Sequence, residues 1–228
     1  MLAKLASLAI AFAFYSIIKM RTKLLLKYSI IFATSLLLSI IFVAFTHAVD
    51  LSNYPEPFIN NIVFDASLVV GDNAKAHDII GVTDIAMSLQ FDMQKKKTIV
   101  RQGCGEYEIN EIVRVDVGAV KLASKLKGKE KAENLIIVGG PCANSVAGFL
   151  YGYPEDCTQG FEYGKGKIKL FDHKNGKFAL LVAGLTDEDT RAAAQVLANY
   201  KEYKEQFVGN ELVVTDTSLS KPKVTRLK

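Results

Sequence analysis

The sequence predicts an α/β fold: a layered domain with a largely parallel sheet, a β-hairpin and flanking helices, preceded by an N-terminal hydrophobic signal or anchor. Three observations predict it. Short apolar runs, Leu68 to Val70 and Leu135 to Val138, each end in glycine, as strands covered on both faces do. Stretches with helical spacing of apolar residues follow those glycines. Finally, Asn175-Gly176 separates two strand-like runs and is a strong hairpin signal.

Residues 1–48 hold two apolar stretches. Leu5 to Ile18 is too short to cross a bilayer comfortably. Leu24 to Ala48, after Arg21 and Lys23, ends in Thr46-His47-Ala48, a small-x-small terminus where a signal peptidase cuts. Met20 begins that unit and is read as the natural start, with 1–19 as an upstream extension. The expected cleavage lies between Ala48 and Val49. The rival is a retained anchor, since Tyr28 to Phe45 is just long enough to span. In both cases the membrane is met only through this segment, and the remainder lies outside the cytoplasm. The expected division is 1–48 signal or anchor, 49–217 one α/β domain, and 218–228 a flexible basic tail.

Within the domain, Pro55 and Pro57 keep Leu51 to Asn61 extended or irregular. A strand follows over Ala66 to Val70, and Gly71-Asp72-Asn73 forms its turn. Val82, Ile85, Ala86 and Leu89 share a face, which predicts a helix from about Ala76 to Gln90. Lys95 to Lys97 reads as a solvated loop, Thr98 to Val100 as a short strand, and Glu108 to Val117 as a half-buried strand. Lys121 to Glu133 is lysine-rich and reads as a loop or a short exposed helix. Next come the strand Leu135–Val138, a turn at Gly139-Gly140, and a helix opening at Pro141, with Val146, Phe149, Leu150 and Tyr153 on one face. Lys167 to Asp172 and Lys177 to Ala183 form the hairpin. Gly184 ends the second strand, and Thr186 caps a helix whose first turn carries Asp187, Glu188 and Asp189. Ala193, Val196, Leu197 and Tyr200 make its buried face. Glu211 to Thr215 is the last strand.

Net charge is +4, from 28 basic and 24 acidic residues without a basic block, which argues against a nucleic-acid partner. The chain lacks a G-x-G-x-x-G or P-loop fingerprint, a G-x-S-x-G elbow and an Asn-x-Ser/Thr sequon. Its three histidines and three cysteines are scattered without metal-ligand spacing, so neither a metal nor another cofactor is expected. Asp187-Glu188-Asp189 could hold Ca²⁺ weakly, but a helix-start role explains them more simply.

Cys142 and Cys157 are 15 residues apart and are the natural disulfide pair of a secreted chain. The alternative makes Cys142 a thiol nucleophile at a helix start, with His77 or His173 as its base. Cys104 is left odd: free, cross-linking two copies, or displacing one partner. A ligand site has one place to be, at the carboxyl ends of the strands, on the turns Gly71, Asp72, Asn73, Gly139, Gly140 and Gly184. Tight strand-to-helix turns account for the same glycines.

Four motifs in order carry a family resemblance. They are Tyr54-Pro-Glu-Pro-Phe-Ile-Asn60, Val69-Val-Gly-Asp-Asn-Ala74 with Asp84-Ile-Ala86, Leu135-Ile-Ile-Val-Gly-Gly-Pro-Cys-Ala-Asn144, and Leu181-Val-Ala-Gly-Leu-Thr-Asp-Glu-Asp-Thr-Arg-Ala-Ala-Ala194. Together they resemble the archaeal S-layer protein family of methanogens and related archaea, over about Val49 to Thr215. The resemblance implies a non-catalytic structural protein of the cell envelope, either an S-layer component or an accessory protein. Its partners would be other S-layer copies or envelope proteins. Family members are usually longer between the first motif pair and Gly-Gly-Pro-Cys. A secreted module binding a cell-wall glycan or small ligand is the alternative.

Overall fold

The computed structural model describes residues 49–60, 62–101, 105–112, 120–216 and 222–226. The expected signal or anchor, with its cleavage residue Ala48, lies outside them, as does Cys104. No helix among the described residues is long and apolar enough to cross a membrane.

Among the described residues eleven strands run in chain order: β1 Ile59–Asn60, β2 Val63–Phe64, β3 Ser67–Val70, β4 Gln94–Arg101, β5 Gly105–Ile112, β6 Val120–Leu122, β7 Leu135–Val138, β8 Gly166–Asp172, β9 Phe178–Gly184, β10 Glu211–Asp216 and β11 Lys223–Arg226. The α-helices are α1 Ala76–Asp92, α2 Ser145–Leu150 and α3 Asp187–Ala198. Seven strands form the central sheet in the order β11-β10-β8-β9-β7-β3-β6.

The sheet is mixed, which corrects the largely parallel expectation. β9, β7, β3 and β6 pair in parallel. β8, β10 and β11 extend the sheet from β9 by antiparallel pairings. Connection length explains the division. Between β3 and β6, which pair in parallel, the chain returns through α1 and the β4–β5 hairpin, whereas the short His173–Lys177 turn, closed by the His173 amide on the Lys177 carbonyl at 3.1 Å, can only reverse it. Gly176 at φ +80° suits that turn.

β3 and β7 are buried at every position, as uninterrupted apolar runs require when both sheet faces are covered. On one face Leu68, Val70, Ile136, Val138, Leu180 and Val182 meet α1 and α3. Gly81 lets the two helices approach, because a Cβ there would lie 2.8 Å from the Ala194 methyl. On the other face Val69, Leu135, Ile137 and Leu181 meet Ala123, Leu126, Val146 and Ala147. The result is three layers with two apolar cores. Each buried Leu or Ile contributes roughly 2 kcal/mol relative to exposure.

Four local expectations are corrected. Residues 121–133 are neither loop alone nor an exposed helix. They begin in β6 and a 3₁₀ turn, Ala123–Leu126, that buries Ala123 and Leu126. α2 starts at Ser145 rather than Pro141, because the Asn144 side chain accepts from the Val146 and Ala147 amides and sets the cap there. Lys95–Lys97 belong to β4, paired over eight positions with β5, so both the loop and the half-buried strand expected nearby become one hairpin. Residues 106–112 are exposed throughout, and 113–119 fall outside the described set. Lastly, part of the tail is a strand: Val224 pairs with Val214 and Thr225 with Val213.

Candidate functional site

The candidate site is built where parallel strands end. β3, β7 and β9 run the same way, so the turns after Val70, Val138 and Ala183 open at one end of the sheet. They border a cleft of about 250 Å³ lined by Asn73, Gly140, Cys142, Gly184 and Asp187, among others. The turns named from the sequence therefore share one end of the sheet. Ligands enter open α/β sheets at this end.

The glycines there serve packing first. A Cβ on Gly71 would stand 2.1 Å from the Ala143 carbonyl oxygen, and one on Gly184 would stand 2.2 Å from the Asp189 Cβ. Gly139 holds φ +105°, a conformation that favours glycine. Asp72 is turned away from ligand duty. Its carboxylate accepts from the Ser124 amide at 2.9 Å and the Ser124 hydroxyl at 2.6 Å. The Ser124 hydroxyl bond is the main reason its pKa is held below the ordinary carboxylate range. Of the six residues expected to form ligand turns, Asn73, Gly140 and Gly184 line the cleft.

Asn144 holds the centre of the arrangement, and sequence reasoning passed over its role. It is fully buried. Its amide donates to the Val138 carbonyl at 3.1 Å and the Val69 carbonyl at 3.4 Å, while its oxygen receives the two helix amides. One side chain therefore ties β3, β7 and α2 together. The readable signal was an Asn immediately before an apolar helical face.

Cys142 and Cys157 form a disulfide. It joins the turn before α2 to the link after it, on the rim of the cleft. Cys142 therefore offers no thiolate in the oxidised protein. The two histidines weighed as its base are separated by the fold. His173 follows β8, which runs against β9, and so stands at the opposite end of the sheet. His77 lies near the cleft with its Nδ1 2.9 Å from Asp187 Oδ2.

The acidic triplet divides. Asp189 is buried and completes a reciprocal cap with Thr186, accepting from the Thr186 amide at 3.2 Å and also from the Gly164 amide at 3.2 Å. Asp187 faces Lys75 Nζ at 3.1 Å. Burial raises its pKa, but hydrogen bonds from Lys75 and His77 outweigh that and hold it low. Asp78 goes the other way: burial raises its pKa more than the Lys75 amide lowers it, and the Asp187 charge adds to the rise. His77, Asp187 and Glu188 each present one donor atom within 4.8 Å of the others. Lys75 already supplies the cation that Asp187 needs, so the cluster reads as an ion-pair network joining α1 to α3.

The family described as "S-layer like family, outer domain" matches residues 89–201, about half of the chain. That span runs from the end of α1 through β4 and β5, the Gly-Gly-Pro-Cys turn, the disulfide and the β8–β9 hairpin to the turn after α3. No curated protein matches the chain.

Proposed function

We propose that this chain, which carries an S-layer-like family domain, is a structural protein of the outer cell surface, either a component of an S-layer or an accessory to one. The family match is the observation that carries the reading, and it supports an envelope role in general terms. Two features of the molecule support the finer statement. A disulfide in a small α/β domain fits an oxidising, extracellular compartment. The site end of the sheet is given over to packing glycines, a structural asparagine and closed ion pairs, which fits a protein that does no covalent chemistry. Its partners would be further copies of itself or other envelope proteins.

The decisive experiment isolates the envelope fraction and reads the N-terminal residue of the mature protein there, with electron microscopy of the same fraction. The reading expects a start at Val49 and incorporation into an ordered layer. Recovery in the cytosol with its cysteines reduced would overturn it.

A second reading draws on the cleft itself: convergence of three turns on about 250 Å³ of space favours a secreted module that holds a glycan sugar or small ligand. Titration calorimetry with cell-wall oligosaccharides tests it. Saturable binding by a monomer that never enters an assembly would favour this reading over the first.

A further inference from the structure

The cleft at the carboxyl ends of the strands has a neighbour. A second space of about 230 Å³ lies over the outer face of β8 and β10, with Phe161, Lys167, Glu211 and Thr215 in its lining. Its floor follows from register. Lys167 stands opposite Val213 and Lys169 opposite Glu211, so these four side chains share one face of the sheet. Ile168 and Leu212, paired between them, are buried on the other.

One wall serves both spaces. It is the link after α2: Cys157 and Thr158 border the first space, Gly160 and Glu162 the second, and Phe161 borders both. The disulfide fixes that wall, since Cys157 is bonded to Cys142. The Phe161 ring is held as well. Its centroid lies 5.4 Å from that of Tyr151 and 5.3 Å from Lys167 Nζ. Each space alone falls below the range of about 300–1,000 Å³ usual for ligand sites, and the two together fall inside it.

The charges restrict what the two spaces can take. Three lysines line them, and each is paired with a carboxylate that lines them too. Lys75 meets Asp187 at 3.1 Å, Lys165 meets Glu162 at 2.6 Å, and Lys167 meets Glu211 at 3.0 Å. The remaining lining carboxylate, Asp78, is buried and accepts from the Lys75 amide at 3.0 Å. An ionic ligand would have to break one of these pairs and leave a charge unmatched, which selects against it. A hydroxyl need not. A carboxylate has about four acceptor positions and an ammonium three donors, so each paired group keeps room for a neutral partner. Thr215 and Thr225 add hydroxyls to the second space. The negative face of a fixed aromatic ring attracts the C–H faces of a sugar.

We propose that the two spaces form one groove for a neutral glycan, with a hexose unit on each side of Phe161. The assignment rests on the second reading above for its class of ligand. It adds the path of the sugar chain, a length of at least two units, and the absence of charge.

The test uses the full chain, purified in mild detergent, on an array of neutral gluco-, galacto- and manno-oligosaccharides of one to three units. Oligogalacturonides serve as the charged counterpart, and calorimetry measures each hit. The expected result is a neutral sugar whose affinity rises about tenfold or more from one unit to two, and which no galacturonide matches. Asn73→Trp fills the first space and Thr215→Trp the second. Both residues are exposed, so thermal melts of these variants should match the parent. Each should weaken the two-unit sugar about tenfold, and Phe161→Ala about thirtyfold. A sugar held as tightly by one unit as by two, or left unaffected by Thr215→Trp, would overturn the groove and leave the second reading standing. A preference for the galacturonides would do the same. Failure of every sugar on the array to bind would remove both.

Discussion

The central sheet and the β4–β5 hairpin, an arm outside that sheet, are both made of strands, yet they are held together differently. β7 and β3 are buried at every position and touch helices or turns on both faces. In the arm, residues 94–98 and 106–112 are exposed and its cross-strand ion pairs, Lys96–Glu108 and Lys97–Glu111 at 3.2 Å each, stand in solvent. The body is stabilised by burial, which adds up over many side chains. The arm is stabilised by ladder bonds and surface pairs, each contributing about 1 kcal/mol or less. Neither buried core includes a residue of the arm.

The largest effect that would sharpen this contrast is expected at Gly71. Gly71→Val would drive its Cβ into the Ala143 carbonyl and should cost more than about 4 kcal/mol. Loss of the cooperative thermal transition is the readout, and a normal melt would show that the turn can yield. Opening the disulfide by Cys142→Ser with Cys157→Ser should cost about 3 kcal/mol, given its sequence separation of 15 residues. Urea unfolding measures it, and an unchanged midpoint would mean that the loop is ordered without the bond. Asn144→Ala removes a helix cap and leaves the Val138 and Val69 carbonyls without their side-chain donor, a cost of about 2 kcal/mol in the same assay.

A smaller effect depends on pH. Glu211 sits between Lys167 Nζ at 3.0 Å and Lys169 Nζ at 2.6 Å. Burial raises its pKa, but the two lysines outweigh that and hold it below its ordinary value of 4.5. A carboxyl with a depressed folded pKa contributes stability above the unfolded value and loses it as pH falls through the folded one. Stability of the parent should therefore fall more steeply below pH 4.5 than that of Glu211→Gln. Parallel acid titrations of the two proteins would contradict the assignment. The smallest effect is expected in the arm. Lys96→Ala breaks an exposed pair and should change the unfolding free energy of the body by less than about 0.5 kcal/mol. A larger loss would erase the distinction between the two regions.

The body was legible because its signals are local. A four-residue apolar run ending in glycine, a Thr186-x-x-Asp189 cap and an Asn175-Gly176 turn each state their geometry within a few residues. The arm was not, because what makes Lys95–Lys97 a strand is a partner 12 to 16 residues later, with no periodicity to announce it. β11 escaped for the same reason: it is polar and is held by its pairing with β10. The start of α2 was misread at Pro141 because the cap that fixes it hangs from carbonyls on two strands. At the site, the carboxyl-end turns and the cysteine pair could be read, whereas the network of Lys75, His77 and Asp187 joins helices that are 110 residues apart in sequence and left no trace in it.

Met93, buried between α1 and the arm, has a mechanical consequence. A pull on β4 is carried through that residue into the long axis of α1, which lies on the sheet and on α3. The load is then shared along the whole helix as shear, so the contacts resist together instead of peeling one by one.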